Sequence, residues 1–249
     1  MESNKCLICG GLSIPIKRIA RYKILRCGVC GMEFTHPMPS QKELRDFYSN
    51  YRDFHAPDPT VASNAKKNLQ LLKKHGLTRN MRLLDYGCGK NLFVAQGKSG
   101  NWHGYDEYNE NCDASMLEGK FDFITLWGVL EHLPNPVDEM KKLSRMLRLN
   151  GRLALTTVSS ETGMPYRHKP PEHVTYWTED ALRRLFRQCG MKTIEYRPYF
   201  MYQNSNIYLR CVFNAAKVPN EIRKHIRWSG KQRLFVPTNE VMVLGCRVK

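Results

Sequence analysis

The distribution of apolar residues along the chain predicts two helices ahead of a longer region in which strands and helices alternate. The first helix begins near Ser40, where Glu43, three residues later, completes a capping box. The second helix runs from about Val61 to His75 and carries apolar residues at helical spacing. We therefore expect residues 40–78 to form a helical linker or lid.

Farther along the chain, short apolar stretches bounded by turn-forming residues predict strands. One stretch runs from Arg82 into a glycine-rich turn at Gly87, and a second, Trp102–Asp106, ends in a carboxylate. A helix is predicted from Glu179 to Cys189, and Gly190 provides a normal C-terminal stop. Further strands are predicted at residues 192–199, 207–213 and 241–248.

The length of the chain, 249 residues, is enough for one sizeable α/β domain with a small appendage. No apolar run reaches membrane-spanning length, and the first residues lack the apolar core of a signal peptide. We therefore expect no membrane insertion and a reducing, cytoplasmic location. The nine cysteines are an odd number, so metal binding is favoured over disulfides.

The formal net charge of +16 is concentrated towards the C-terminus. Residues 181–249 contain 14 Lys and Arg against 3 Asp and Glu. Such a surplus attracts polyanions such as nucleic acid, but it also suits a solvated basic face without a specific partner. The segment from Lys217 to Arg233 combines basic residues with Trp228. This combination suits contact with the phosphates and bases of a nucleic acid, and it equally suits a solvated loop or helix.

The N-terminal cysteines have the spacing of a zinc site. They form two C-x-x-C pairs separated by 17 residues: Cys6 and Cys9, then Cys27 and Cys30. Two such turns at the ends of a short β-hairpin present four thiolates in a tetrahedron. Gly10 and Gly31 follow the pairs and suit the left-handed backbone that these turns need. We predict a zinc ribbon over residues 1–39, with a structural Zn²⁺ because four protein ligands close the site.

The glycine-rich turn predicts a nucleoside site at the start of the main domain. Gly87 and Gly89 allow a ligand to approach the backbone, and Asp85 lies just before the turn. Asp106 is placed to accept hydrogen bonds from ribose hydroxyls. The residue three positions after Gly89 is Leu92, where the dinucleotide fingerprint requires a third glycine, so NAD is disfavoured.

These residues resemble the opening of the class I S-adenosylmethionine-dependent methyltransferases. The resemblance continues through Cys112-Asp113-Ala114, a strand at 121–126, the Trp127–Pro136 segment with its Glu-His-Leu sequence, a helix at 137–147 and a turn and strand at 149–157. It implies an α/β, doubly wound, Rossmann-like sheet over residues 79–249, in a subgroup whose methyltransferase domain carries an N-terminal zinc ribbon. The implied S-adenosylmethionine site comprises Asp85, Gly87, Gly89, Asn91, Asp106, Asp113 and Trp127.

Two departures from the family pattern concern the cofactor site. Asn91 stands where the family usually has a third glycine, and Asn tolerates a positive φ better than most residues. Six residues separate Asp106 from Asp113, too few for a full helix. We expect that helix to be reduced to a turn, with a shallower wall over the adenine and weaker cofactor binding.

In this fold, the residues that contact the methyl acceptor follow the fourth and fifth strands. Methyl transfer needs alignment of the acceptor at this place and sometimes a general base that removes its proton. His173, in the loop before the helix capped by Thr178, is the best base candidate, and His132 is the second, with packing as its alternative role. Glu131, His168 and Glu172 lie in the same segments. Small-RNA 2′-O-methyltransferases carry a magnesium-type ion at an E-x-x-E-H element with a distant His, and Glu131, His132 and His173 are similar to the later part of this set. Because Gly128 occupies the first acidic position here, the sequence predicts no such metal.

Three functions remain open from the sequence. The first is methylation of a small molecule such as a sugar or metabolite, as the ribbon-bearing subgroup suggests. The second is methylation of nucleic acid, in particular RNA, through the basic C-terminal region. The third is a non-catalytic binding module on a degenerate methyltransferase fold. The sequence does not distinguish O-, N- and C-methylation.

Overall fold

The computed structural model describes residues 4–49, 59–109, 112–162, 168–223 and 232–249. The strands of this part of the chain are β1 (Ser13–Ile19), β2 (Tyr22–Cys27), β3 (Glu33–His36), β4 (Leu83–Tyr86), β5 (Trp102–Tyr105), β6 (Phe121–Trp127), β7 (Leu147–Val158), β8 (Thr175–Tyr176), β9 (Met191–Asn204) and β10 (Arg233–Arg247). The helices are α1 (Gln41–Ser49), α2 (Pro59–Lys74), α3 (Leu92–Gly97), α4 (Pro136–Met146), α5 (Glu179–Gln188), α6 (Ser205–Ala215) and α7 (Asn220–Arg223).

The larger of two sheets has the strand order β5-β4-β6-β7-β10-β9. Strands β5, β4, β6 and β7 are parallel, whereas β10 runs antiparallel to both β7 and β9. All four side chains of β4 are buried, as are most of those on β6, because helices cover both faces of a parallel sheet. This is the predicted doubly wound α/β architecture.

The order of the strands creates a crevice at the carboxyl ends of β4 and β6. From β4 the chain moves to the sheet edge at β5, and then returns to form β6 on the opposite side of β4. Ligands of open α/β sheets bind at such a reversal, outside the carboxyl ends of the strands. The glycine-rich turn follows β4, and Trp127 ends β6, so both lie at this crevice.

Several local predictions are confirmed. Ser40 and Glu43 form the capping box of α1, with the Ser40 amide donating to Glu43 Oε2 (2.8 Å) and the Glu43 amide donating to Ser40 Oγ (3.3 Å). Thr178 caps α5. The described part of the β5–β6 connection contains a single turn of 3₁₀ helix, Ala114–Leu117, in place of an α-helix.

The strand predicted at residues 207–213 is wrong, because this segment lies within helix α6. Asn204 Oδ1 accepts a hydrogen bond from the Asn206 amide (2.9 Å), which favours the start of a helix at this point. Strand β9 extends to Asn204 and pairs with β10 along its whole length, so the sheet edge is complete without another strand. A short apolar run does not by itself distinguish helix from strand.

The smaller sheet has the order β1-β2-β3-β8 and joins the N-terminal segment to the main domain. Strand β8 belongs to the later part of the chain and pairs with β3. The two regions also share one apolar core, in which Ile8 and Met32 pack with Trp177 and Leu185. In the described part of the chain, no helix is long and apolar enough to cross a membrane.

Candidate active site

The turn after β4 forms an open cradle. Gly87 and Gly89 both have positive φ values, 75° and 51°. A Cβ on Gly87 would lie 2.4 Å from Val129 Cγ2, so the turn after β4 packs directly on the turn after β6. A Cβ on Gly89 would meet no atom within 4 Å. The backbone at Gly89 therefore faces free space in which a ligand can approach it closely.

Asn91, which replaces the usual third glycine, is accommodated by the neighbouring strand. Its φ of 58° is the left-handed conformation that the turn requires. A Cβ on Gly104 of β5 would lie 2.2 Å from Asn91 Oδ1. The Asn91 amide thus occupies the space that a side chain at position 104 would fill, so Gly104 compensates for the departure at Asn91.

Asp106 follows β5 and lies over the turn. Its Oδ2 accepts a hydrogen bond from the Gly89 amide (2.9 Å), and its Oδ1 accepts one from the Tyr108 amide (2.9 Å). Each carboxylate oxygen retains a second lone pair. The half-buried carboxylate is thereby held at the edge of the cradle with acceptor capacity available for two hydroxyl groups.

Asp85 lies behind the cradle at the end of β4. Its side chain is buried, and Thr125 Oγ1 donates to Asp85 Oδ1 (2.6 Å). Burial raises the pKa of this carboxyl to about 7. Because its ordinary pKa is 3.8, Asp85 keeps its proton in the folded protein over a pH range in which the unfolded chain has lost it.

The Asp85→Asn variant is expected to gain stability relative to the wild type as the pH rises from 4 to 8. The folded state binds the extra proton between about pH 4 and pH 7, so wild-type stability falls across this window and remains lower above it. The substituted amide cannot ionise and avoids this loss, which at about 1.4 kcal/mol per pKa unit is of the order of a few kcal/mol. Urea unfolding at pH 5, 6, 7 and 8 measures the difference. The exposed Asp113→Asn variant is the control. If the difference in unfolding free energy between Asp85→Asn and the wild type were the same at all four pH values, the prediction would be contradicted.

Asp113 and Trp127 flank the cradle. Asp113 Oδ1 accepts a hydrogen bond from the Ser115 amide (2.9 Å) and caps the 3₁₀ turn. Cys112 Sγ lies 3.7 Å from Cys88 Sγ, so this segment lies against the glycine-rich turn. The Trp127 ring packs on Phe93, and its buried indole N–H has no acceptor among the described residues. Trp127 thus ends β6 beside the glycine-rich turn with its ring in the apolar core formed around Phe93.

Next to the cradle, Glu131 and His132 follow β6. Glu131 is buried and accepts a hydrogen bond from Thr157 Oγ1 (2.9 Å), and burial raises the pKa of its carboxyl to about 7. His132 Nδ1 lies 2.7 Å from the backbone oxygen of Glu172 and 2.8 Å from the hydroxyl of Tyr48. Burial lowers the pKa of His132, so the neutral imidazole is favoured.

The loop before β8 places His173 against this pair. The Val174 amide donates to the backbone oxygen of Glu131 (2.8 Å). The His132 and His173 rings meet edge to face with centroids 4.9 Å apart. One donor atom from each of Glu131, His132 and His173 lies within 4.8 Å of the others. The structure thus brings both predicted histidines to one place beside the cradle.

His168, another candidate from the sequence, lies away from Glu131, His132 and His173. His168 Nε2 lies 2.7 Å from Oε2 of the fully buried Glu33, so it joins the loop to the small sheet. Tyr48 and Glu240 lie near Glu131 and His132, but the sequence analysis did not identify them as site residues. Burial and the charge of Glu131 raise the pKa of Glu240 to about 7. No local sequence signal identifies them, because α1 and β10 are far from β6 along the chain.

The four N-terminal cysteines have the arrangement predicted for a metal centre. The Sγ–Sγ separations are 3.6 Å for Cys6–Cys30, 3.4 Å for Cys9–Cys27 and 3.6 Å for Cys9–Cys30. A tetrahedron with Zn–S bonds of about 2.3 Å has sulfurs about 3.8 Å apart. The amides of Ile8 and Val29 donate to the sulfurs of Cys6 and Cys27, which favours thiolates.

The basic C-terminal segment is described only in part, because residues 224–231, including Trp228, lie outside the described residues. Arg223 Nε donates to the Val218 backbone oxygen (2.7 Å), and its Nη2 donates to the Phe213 backbone oxygen (3.0 Å). This guanidinium therefore connects α7 to the end of α6.

The parallel-rich sheet, the glycine cradle at its reversal point and the carboxylate at the end of β5 define a class I methyltransferase. A family model described as a methyltransferase domain matches residues 59–196, more than half of the chain. The chain belongs to this methyltransferase family, and the prediction of a methyltransferase enzyme is confirmed. A search of curated proteins finds no match.

A solved methyltransferase structure has the same fold, and a second was compared with this chain. Magnesium protoporphyrin IX methyltransferase from Synechocystis PCC 6803, with bound S-adenosylhomocysteine, is 13% identical with a TM-score of 0.54, and the alignment covers 84% of this chain and 100% of that one. The 1,6-didemethyltoxoflavin-N1-methyltransferase of Burkholderia thailandensis is 16% identical with a TM-score of 0.48, and the alignment covers 94% and 99% of the two chains.

Proposed function

We propose that the protein binds S-adenosylmethionine in the cradle after β4 and transfers its methyl group to a small molecule. The observation that carries the proposal is the pairing of an open Gly89 backbone with the Asp106 carboxylate, 2.9 Å from the Gly89 amide. A carboxylate in this position suits ribose hydroxyls. The structural relative from Synechocystis was solved with S-adenosylhomocysteine bound, which supports the choice of cofactor.

The residues around the cradle fit this cofactor. Gly87, Gly89 and Asn91 would line its amino-acid and ribose portions, with Asp85 behind them. Asp106 would hold the ribose, and the segment carrying Asp113 would border the adenine. Trp127 would border the cradle at the end of β6. When bound, the cofactor supplies an activated methyl group on a sulfonium sulfur, and the protein's main contribution is alignment of the acceptor with that carbon.

The acceptor is proposed to bind beside Glu131, His132 and His173, which lie next to the cradle at the carboxyl ends of β6 and β7. A small acceptor is favoured because this group is largely buried, with His173 only 9% exposed. The structural relative from Synechocystis is named for a small-molecule acceptor, magnesium protoporphyrin IX.

Calorimetry with S-adenosylhomocysteine tests the proposal directly. One equivalent is expected to bind the full chain. Incubation with radiolabelled S-adenosylmethionine and mixed pools of hydroxyl-, amine- and carbon-acid acceptors should then yield a labelled product. A chain that binds neither form of the cofactor would instead be a non-catalytic scaffold, and salt-sensitive binding of RNA would favour a nucleic-acid substrate.

We further propose that Cys6, Cys9, Cys27 and Cys30 bind a structural Zn²⁺. The sulfur separations of 3.4–3.6 Å and the amide donors to Cys6 and Cys27 support a tetrahedral thiolate site. All coordination positions would be filled by protein, so the ion would stabilise the fold and take no part in methyl transfer.

A further inference from the structure

Two cysteines meet at the proposed cofactor cradle. Cys88 lies between Gly87 and Gly89 in the turn after β4, and Cys112 directly precedes Asp113 in the segment proposed to border the adenine. Their sulfurs are 3.7 Å apart, and both side chains are half-buried. We propose that Cys88 and Cys112 form a reversible disulfide when hydrogen peroxide is present, and that this bond narrows the cradle. The effect on the cofactor rests on the proposed function, whereas formation of the bond does not.

Backbone hydrogen bonds hold the two cysteines next to each other. The Cys88 amide donates to the backbone oxygen of Tyr105 at the end of β5 (3.1 Å). The Cys112 amide donates to the backbone oxygen of Asn109 (2.9 Å), and the Asn109 side chain donates to the backbone oxygen of Gly89 (2.7 Å). The segment after β5 is therefore tied to the glycine-rich turn, and the two thiols are brought together before any oxidation.

Oxidation is expected to move the Cys112 segment and leave the turn in place. The sulfurs of a disulfide are about 2.0 Å apart, so the present separation has to contract by about 1.7 Å. A Cβ on Gly104 would lie 2.8 Å from Cys88 Sγ, so the Cys88 thiol already packs on β5. Cys112 precedes a single turn of 3₁₀ helix, Ala114–Leu117, which is more easily displaced than a strand of the sheet. Asp113 would move with Cys112 and narrow the space proposed for the adenine.

The surroundings of the two thiols favour a reaction in two steps. Burial and the contact with Cys112 raise the pKa of the Cys88 thiol, and the nearby carboxylates Asp85 and Asp106 add to this shift. Cys88 therefore keeps its proton, and Cys112 is the thiol that reacts first with an oxidant. A small oxidant such as hydrogen peroxide has access to the pair through the free space at Gly89, the residue after Cys88.

Hydrogen peroxide supplies the oxidising equivalents for the bond. The Cys112 sulfur attacks one peroxide oxygen, the S–O bond forms, the O–O bond breaks, and one water leaves. The Cys88 sulfur then attacks the sulfur of the Cys112 sulfenic acid. The S–S bond forms, the S–O bond breaks, and the Cys88 proton leaves with the hydroxyl group as a second water. The two thiols lose two electrons, which the peroxide gains, and a thiol reductant reverses the oxidation. Cytosolic disulfides of this transient kind often act as redox sensors.

Cofactor binding and the disulfide are expected to oppose each other. If the disulfide weakens S-adenosylhomocysteine binding by a given factor, saturation with this molecule must disfavour the disulfide by the same factor. For this two-electron couple, each factor of ten raises the reduction potential of the cysteine pair by about 30 mV. A bound cofactor would also fill the free space at Gly89 and shield the thiols from peroxide. The empty enzyme is therefore inactivated more readily than the enzyme with bound cofactor.

Treatment of the zinc-loaded full chain with hydrogen peroxide, at a dose that leaves its zinc content unchanged, tests the inference. Peptide mapping by mass spectrometry without reduction is expected to find Cys88 joined to Cys112. Affinity for S-adenosylhomocysteine, measured by calorimetry, should fall at least about tenfold, because displacements of about 1 Å are costly at a binding site. A phosphine reductant should restore it. The Cys246→Ser variant, with its substitution on β10, is the matched control and should respond to peroxide as the wild type does.

Two further variants test the roles of the thiols. Cys112→Ser should keep its own reduced-state affinity for S-adenosylhomocysteine within about twofold after peroxide treatment, because the remaining Cys88 thiol is protonated and reacts poorly. Cys88→Ser lacks the second thiol, so the Cys112 sulfenic acid should persist and be captured by dimedone. Equal losses of affinity in Cys112→Ser and the wild type would overturn the inference.

The same samples separate this inference from the proposed function. Peroxide-treated wild type in which Cys88 and Cys112 remain free thiols would overturn the disulfide and leave the methyltransferase proposal standing. Oxidised protein that carries the disulfide and binds S-adenosylhomocysteine as tightly as reduced protein would overturn the effect on the cradle. Reduced wild type that does not bind S-adenosylhomocysteine would contradict the proposed function, and peptide mapping would still decide whether the disulfide forms.

Discussion

The Cys30→Ser variant is expected to lose its zinc and much of the stability of the whole chain. Structural zinc sites of this kind contribute about 10–16 kcal/mol of apparent binding free energy, whereas the net stability of a domain is only about 5–15 kcal/mol. The loss should not remain local, because Cys30 belongs to the same apolar core as Trp177 and Leu185. Its backbone oxygen also accepts a hydrogen bond from Thr178, the cap of α5 (2.6 Å).

Zinc content by atomic emission and the midpoint of urea unfolding measure this effect. Cys246→Ser is the matched control, because Cys246 is half-buried on β10 and lies outside the cysteine cluster. It should retain its zinc and change the midpoint only slightly. If Cys30→Ser unfolded at the wild-type midpoint, the N-terminal sheet would contribute nothing to the stability of the main domain.

The Asp106→Ala variant is expected to bind S-adenosylhomocysteine about 10- to 100-fold more weakly than the wild type. The substitution removes a charged acceptor for a ribose hydroxyl, and the net loss of one hydrogen bond to a charged group costs about 1.5–3 kcal/mol, which corresponds to this range. It also removes the acceptor of the Gly89 amide, which helps to hold the turn open. Isothermal titration calorimetry gives the dissociation constant.

The neighbouring Glu107→Gln variant provides the control for this measurement. Glu107 is exposed and adjacent in sequence, so it tests whether any loss of negative charge near the cradle weakens binding. We expect its affinity to be within about twofold of the wild type, since exposed charges contribute little. Equal affinities for Asp106→Ala and wild type would remove the main support for a nucleoside site at this turn.

The sequence predicted the parts of the fold that depend on local patterns. The glycines at positions 87 and 89, the capping residues Ser40 and Thr178 and the paired cysteines each act through neighbours a few residues away. Their structural consequences could therefore be read without knowledge of the tertiary structure. The shortened connection after Asp106 was also predictable, because six residues cannot form a full helix.

Features that depend on distant residues were not predictable in the same way. Gly104 accommodates Asn91 only because β5 pairs with β4, and Glu240 reaches Glu131 only because β10 inserts between β7 and β9. The strand predicted at residues 207–213 failed because β9 already completes the sheet edge. The roles assigned to His173 and His132 and the domain boundaries at residues 39 and 78 remain predictions.

The pairing of β3 with β8 has a consequence for the order in which the chain can fold. Thr35 contacts His173, 138 residues later, so the partner of β3 is synthesised long after the N-terminal cysteines. Until residues 175–176 have emerged from the ribosome, β3 is an unprotected edge strand exposed to association with other chains. A nascent chain can therefore gather its cysteines early, but it closes this sheet only after most of the polypeptide has been made.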